Sequence, residues 1–471
     1  MRFKKTKGIV MIKDMTAGNP IKLILWFSLP VLLGNLFQQL YLMSDLILVG
    51  RFLGMHSLAA VGTIMPFYGV IIMMSFGFTS GLSIIIAQRL GAEDYQGIGK
   101  SFAAGIILSF VFSLCVMVCL PFTPFVMHLM NVPEDIFTEA VIFIDTLLYG
   151  CMAMVFYNYL ANVLRALGDS KTPLYFLIFS CVFNILLNLW FIIGLGLGVR
   201  GSALGSVISQ ITSVVLCGVL IYRKFPVLKI TKQDFYVSKE WLYAHLRLAI
   251  PMTVQFSVIG LGALIIQSVC NTFGTSAIAA MATSIRIEQF IALPLVSIGA
   301  AVVTFTAQNY GAHKIYRIRQ GVFQSSVFSL ALSFLLPILV FLFGDKMVLL
   351  FLKEANDEVV NLARTYLQIT TLFYCFLGQI FIFRQALQGM GHSILPMISG
   401  FVELFMRAFA GIVLASWFGY IGLCYAGPTA WIGACVILIG GYVYVIRRQR
   451  YRLTNKERHT SWPMRLFVRK R

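Results

Sequence analysis

The chain has 471 residues, 59% of them hydrophobic and only 12% charged, and its mean hydropathy is +0.85. Those values exclude an ordinary water-soluble globular domain. The formal charge of +19 does not by itself imply nucleic acid, because the Lys and Arg residues are distributed in the way that orients membrane proteins.

A bilayer core about 30 Å thick takes about 20 apolar residues per helical crossing. Twelve such stretches are predicted, at residues 21–49, 58–81, 101–122, 135–163, 172–195, 201–222, 246–272, 277–307, 321–344, 358–383, 394–416 and 421–446. They are apolar all round and lack the alternating segments of about ten residues that build a β-barrel, so an all-α integral membrane protein is expected. The first stretch is too long for a cleaved signal and no AxA-like site accompanies it, so it is read as retained. With the N-terminus inside, the termini and even-numbered loops hold about 30 of the 37 Lys and Arg residues. The opposite loops hold Arg51, Arg200, Lys346 and Lys353, while Arg286, Arg364 and Arg407 fall within helices. Both termini are therefore expected on the cytoplasmic face of a plasma (inner) membrane, with the basic tail against anionic headgroups. The nine cysteines include Cys115, Cys119, Cys181 and Cys270 in apolar segments. They form no CxxC or His-paired cluster, so neither disulfides nor a metal site is implied.

Taken in order, the stretches repeat. Pro30 in FSLPVLLGNLFQQL pairs with Pro251 in LAIPMTVQFSVIGL, and LGMHSLAAVG pairs with FGTSAIAAMA. Next, IIIAQRLGAEDYQGI (84–98) matches TFTAQNYGAHKIYRI (304–318) in its AQ and GA pairs, and both are read as loops. Last, LRALGDSKTP, ending at Pro173, matches LQGMGHSILP, ending at Pro396. All pairs lie about 220 residues apart in the same order, which marks an internal duplication. Six helices per half, an even number, give both halves the same orientation and a pseudo-two-fold axis along the membrane normal, with a cleft between the bundles. The expected organisation is a cytoplasmic N-terminus (1–20), an N-terminal six-helix bundle (21–222), a basic cytoplasmic linker (223–245), a C-terminal six-helix bundle (246–446) and a basic cytoplasmic tail (447–471). Composition and spacing alone lead to a duplicated transporter.

The run GNPIKLILWFSLPVLLGNLFQQLYLMSDLILVGRFLG, together with the AQxxGA and LRALGDSKTP motifs, resembles the multidrug and toxic compound extrusion (MATE) family, and the likeness extends along essentially the whole chain. The resemblance implies a V-shaped pair of six-helix bundles that exports bulky, often cationic or aromatic compounds by antiport against sodium ions or protons. It also implies that an acid in the first helix couples the cation, and Asp45 stands at that place. Asp45 lies fifteen residues beyond Pro30, about 22 Å along a helix. The bland alternative is a helix-end cap beside Arg51. In the fifth helix Asn184 and Asn188 are one turn apart and share a face, and their carbonyls could serve a hard cation. The family pattern commonly has Asp at the second position, so Asn188 removes one carboxylate. Ser206 falls where the family tends to place a hydroxyl. Inter-helix hydrogen bonding is the alternative role for these three. Pro30 interrupts the helical ladder and is a candidate hinge, or is simply tolerated in a membrane helix.

The second half departs from the first: Ile266 stands opposite Asp45, while Glu403 and Arg407, four apart, are expected to pair within one helix. Glu403 is alternatively a second coupling site or the counter-charge of a cationic drug. Arg286 and Glu288 face differently, and Asp145 is read as solvated. Gln38, Tyr41, Asn158 and Gln255, with Glu403 and Arg407, are the expected polar lining of an apolar substrate cleft, where aromatic and Met side chains would meet organic cations. No cofactor is expected, and no metal beyond a coupling sodium ion at Asp45. The expected partners are small-molecule drugs or metabolites and membrane lipids, not nucleic acid, and the chain is expected to be monomeric. A lipid-linked precursor flippase or an endogenous-metabolite exporter of the same architecture is the alternative, although a pyrophosphate would call for a more cationic cleft. An enzyme is not expected, because the six histidines sit at helix ends or loops without clustering, and no nucleotide-binding motif occurs.

Overall fold

The computed structural model describes residues 14–351 and 356–454; the expected N-terminal arm before residue 14, Lys353, and the basic tail beyond residue 454 lie outside the described residues. The helices are α1 (Pro20–Phe52), α2 (Gly54–Gly91), α3 (Tyr95–Met117), α4 (Thr123–Leu129), α5 (Glu134–Tyr149), α6 (Cys151–Ala166), α7 (Lys171–Leu189) and α8 (Gly198–Lys224) in the first half. The second half contains α9 (Lys239–Cys270), α10 (Thr275–Gly311), α11 (Ile315–Phe351), α12 (Asp357–Leu372), α13 (Tyr374–Gly389), α14 (Ile394–Phe409), α15 (Ala415–Phe418), α16 (Tyr420–Cys424) and α17 (Ala426–Thr454). Among the described residues, ten helical stretches are long and apolar enough to cross a membrane, and counting each of two bent pairs as one span gives twelve. The chain is a multi-pass membrane protein of two six-helix bundles. Large apolar side chains such as Trp26, Phe334 and Phe405 are exposed, which suits a surface solvated by lipid tails rather than water.

Several spans read as straight helices are broken. The fourth bends by 47° between α5 and α6, and the tenth by 52° between α12 and α13. Wider π-type turns follow α7 at Trp190–Gly194 and occur after α14 at Ala410–Leu414. Each departure recurs at the matching place in the other half, so it belongs to the repeated unit rather than to local accident. The duplication extends to backbone angles. Gly54 and Gly274 both have φ of +89°, Glu93 and His313 have +57° and +58°, and Gly168 and Gly391 have +88° and +81°. Gly54 and Gly274 stand where α2 and α10 begin, while Glu93, His313, Gly168 and Gly391 end helices by the same pair of bonds. Gly168 N–H donates to Arg165 O and Asp169 N–H to Leu164 O, while Gly391 N–H donates to Gln388 O and His392 N–H to Leu387 O.

Instead of forming loops, the AQ and GA pairs are the last turns of α2 and α10. The helix α2 runs about ten residues past its predicted end at 81 and α10 about four past its end at 307, and Gly91 and Gly311 allow the two backbones to touch. A Cβ at Gly91 would collide with the Gln308 carbonyl, and one at Gly311 with the Gln88 carbonyl. The side chains then cross between halves: Gln88 Nε2 donates to Gly389 O at 2.8 Å and Gln308 Nε2 to Ala166 O at 2.9 Å. All of these groups sit in the repeat motifs, and together they clasp the bundles at the end that carries the basic even-numbered loops.

Two irregular segments dock at this end. Residues 14–18 lie on the second half, with Met15 N–H donating to Gln308 Oε1 at 2.9 Å, Asn309 Nδ2 to Met15 O at 3.1 Å and Lys314 Nζ to Thr16 O at 2.9 Å. The segment between α8 and α9 lies on the first half. Within it the Thr231 amide and hydroxyl donate to Asp234, holding its carboxyl below its ordinary range, and just past it, in the first turn of α9, the Trp241 ring lies under the Arg89 guanidinium at 3.9 Å. This connection is shorter than the expected linker, because α8 extends to Lys224 and α9 begins at Lys239.

Gly91→Ala and Gly311→Ala should each destabilise the protein by about 1–3 kcal/mol through overpacking against backbone. Gly62→Ala, where nothing lies within 4 Å of an added Cβ, should be neutral or slightly stabilising. Thermal unfolding of the purified protein in detergent, comparing the three variants, checks this.

Candidate functional site

Asp45 is 8% exposed and lies where α1 packs against α7 and α8. Small residues make the approach of α7 and α8 close: a Cβ at Gly205 would strike Asn188 Oδ1. Asn188 Nδ2 donates to Asp45 Oδ1 at 2.7 Å and Ser206 Oγ donates to Asp45 Oδ2 at 3.1 Å. Asn184 Nδ2 donates to Ser206 Oγ at 3.1 Å. With its amide turned over, Asn184 instead donates to Asp45 Oδ1 at 2.8 Å and accepts from the Ser206 backbone N–H at 3.2 Å, satisfying both ends. The structure thus brings Asp45, Asn184, Asn188 and Ser206 into one buried cluster. Tyr41 stands one turn before Asp45, its hydroxyl 3.4 Å from Ser209 Oγ.

Two features of this cluster bear on chemistry. The carboxylate is buried among neutral donors and forms no ion pair among the described residues, Arg51 included, so the helix-end cap does not occur. A carboxylate removed from water is costly unless it is hydrogen-bonded or charge-compensated, and here hydrogen bonds to Asn188 and Ser206 do that work. The second feature is the Asn188 carbonyl oxygen, which is buried and accepts no hydrogen bond. It stands one side-chain rotation from the carboxylate. The donor set therefore fits a small cation as cargo: Asp45 supplies the charge, and the Ser206 hydroxyl and the Asn184 and Asn188 carbonyls supply neutral oxygens.

In the second half, Ile266 is buried and apolar at the place corresponding to Asp45. The expected pairing of Glu403 with Arg407 does not form. Glu403 instead accepts from Arg384 on α13, in an ion pair where both side chains are 7% exposed. The reason is geometric: Glu403 faces α13, whereas Arg407, one turn on, packs its guanidinium toward Gly262 on α9. Arg286 is exposed, Glu288 accepts from the Tyr366 hydroxyl at 3.0 Å, and Asp145 accepts from Thr123 at 2.6 Å rather than standing free in solvent.

A cavity lies between the halves just above the clasp. It is small and partly open, with a volume of about 60 Å³, and is lined by α2, α6, α9, α10 and α13, with Ala87, Ala166 and Ala307 beside the crossed glutamines. The expected cleft residues do not line it. Gln38 is exposed, Asn158 is half-buried, and Gln255 is fully buried, accepting from Gln388 Nε2 at 2.9 Å. The neighbours of Gln255, Met252 and Phe256, line it instead. Pro30 is buried within an unbroken α1. Sequence reasoning passed over Arg165 and Arg384 because the fourth and tenth spans were ended at residues 163 and 383. The signal was present in FIFRQALQG, a single charge flanked by apolar residues.

The MatE family model matches residues 30–190 and 251–413, one segment in each half. Over 90% of its length the chain is 30% identical to "Probable multidrug resistance protein YoeA" of Bacillus subtilis, covering 94% of that protein. It is 24% identical to "Multidrug export protein MepA" of Staphylococcus aureus, over 84% of this chain and 89% of that one. A solved structure described as the outward-facing conformation of a multidrug resistance MATE family transporter of the MOP superfamily superimposes with a TM-score of 0.87. That match covers 95% of this chain and 100% of the other at 23% identity, and it establishes the shared fold.

Because Arg384 and Glu403 are both desolvated, removing either partner should cost about 3–5 kcal/mol, whereas replacing the pair by apolar residues should cost far less. A double-mutant cycle on Arg384→Met and Glu403→Leu, read as thermal midpoints in detergent, should therefore show the double variant more stable than either single one.

Proposed function

We infer that the chain, which belongs to the MatE family of membrane transporters, is a cation-coupled antiporter that exports organic compounds by alternating access. The family is one of transporters, not enzymes. Relatives named for multidrug resistance and multidrug export support drugs and other toxic compounds as the cargo class. The observation that supports the coupling is the buried Asp45, held by Asn188 and Ser206 and in no ion pair among the described residues.

Arrival of a cation would neutralise Asp45. A proton requires only that the Ser206 hydroxyl reverse from donor to acceptor, whereas a sodium ion requires the Asn184 and Asn188 amides to turn their oxygens inward. Either change alters the contacts that hold α1 against α7 and α8. Pro30 removes one rung from the ladder of α1, so α1 can bend there as those contacts change. That bending would couple occupancy at Asp45 to the shape of the cavity, so that the cation enters as the substrate leaves. The concentration of Lys and Arg in the termini and even-numbered loops supports a cytoplasmic side for them and for the clasp.

Proteoliposomes loaded with ethidium or norfloxacin, and given either a sodium or a proton gradient, test this reading. Efflux should respond to one gradient and fall at least about tenfold in Asp45→Asn, which keeps the shape of the side chain and removes its charge. Pro30→Ala should slow efflux several-fold without lowering the thermal midpoint, since it restores a helical hydrogen bond. Undiminished gradient-driven efflux in Asp45→Asn would remove the coupling role from Asp45. Absence of any drug efflux under both gradients would favour a lipid-linked precursor or metabolite as cargo.

A further inference from the structure

Arg165 stands on the last turn of α6 and lines the cavity between the halves. It is the only charged residue among those lining that cavity. Its NH1 donates to Asn162 Oδ1 at 3.1 Å, and Asn162 in turn donates to Thr79 Oγ1 at 3.1 Å, so the guanidinium is held in place by neutral groups. Among the described residues it takes part in no ion pair, whereas the other arginines packed into the interior, Arg89 and Arg384, are paired with Asp94 and Glu403. Asp169, four residues on, is committed to the backbone N–H groups of Lys171 and Thr172 at 3.0 Å each.

The repeat does not demand a charge here. Gln388 occupies the matching position in the second half, ends its helix in the same turn and bonds to Gln255. A cation inside a membrane protein without an acidic partner is costly, and one that lines a cavity is open to a partner brought from outside. The remaining walls suit an aromatic body: Phe76 and Phe256 meet edge to face with ring centres 5.4 Å apart, and Met252, Ile84 and Val303 complete an apolar wall.

We propose that Arg165 and Asn162 form an anion-binding subsite that selects substrates carrying a carboxylate on an aromatic body, as organic anions or zwitterions, rather than simple organic cations. This rests on the reading of the chain as an exporter of organic compounds and narrows its substrate class. A planar guanidinium presents paired N–H groups that match a carboxylate, and such charge-assisted bonds exceed neutral ones.

The test is equilibrium binding of norfloxacin, a zwitterion, and of its methyl ester, which lacks the carboxylate, to the purified full chain in detergent. Because it uses no gradient and no transport, it stands whether or not the coupling role of Asp45 survives. The wild type should bind the acid about tenfold more tightly than the ester. In Arg165→Gln the ratio should fall to about one, and in Arg165→Lys, which keeps the charge and loses the fork, it should lie between. Equal affinity for acid and ester in the wild type, no binding of either, or an unchanged ratio in Arg165→Gln would each overturn the proposal. The wild-type ratio decides the matter even if Arg165→Gln fails to fold.

Discussion

The two bundles meet where α2 packs along α9 and α1 along α10, and they touch backbone to backbone where α2 and α10 cross with no side chain between them. Gly91 and Gly311 bring each backbone against the glutamine carbonyl of the other, and only at that separation can Gln88 and Gln308 reach across to the main chain of the opposite half. Buried amide groups are expensive to leave unpaired, so the crossed bonds fix the register of the halves as well as their distance. The cavity above the clasp and the docking of residues 14–18 on Gln308 and Asn309 take their positions from it.

Within this frame the molecule treats buried charge in three ways. Arg384 and Glu403 neutralise one another inside the second half, a structural arrangement whose Coulomb attraction is offset by the cost of desolvating both groups. Asp45 is held by hydrogen bonds from neutral donors and forms no ion pair among the described residues. Arg165 is steadied by Asn162 and lines open space. The duplication supplied two equivalent scaffolds, and divergence of a few side chains assigned them different work: Ile266 and Gln388 are the uncharged counterparts of Asp45 and Arg165.

The number of spans and the duplication were legible because each leaves a linear trace, apolar length and a repeat of about 220 residues; helical spacing paired Asn184 with Asn188, and the family resemblance joined Asp45 and Ser206 to them. What was hidden depends on direction rather than composition. Whether Glu403 pairs one turn along its own helix or across to α13 is decided by which face of α14 turns inward, and Arg407 four residues away was the closer partner only in sequence. The bends at Gly150 and near Phe373 contain no proline, and one glycine in an apolar run is too common in membrane helices to mark a break. The AQ and GA pairs read as loops because hydropathy falls there, yet the polar glutamines are satisfied inside the protein by the other half rather than by water.

The docking of residues 14–18 also constrains the order of assembly. Met15, Thr16 and Gly18 find their partners on Gln308, Asn309, Lys314 and Arg317, nearly 300 residues downstream. During synthesis the beginning of the chain has no seat until α10 and the start of α11 have been made, so the first half must wait in the bilayer with its leading segment undocked. Contacts of such long sequence separation form late. Closure of the basic end is accordingly a property of the finished pair of bundles, and a truncated first half would lack it.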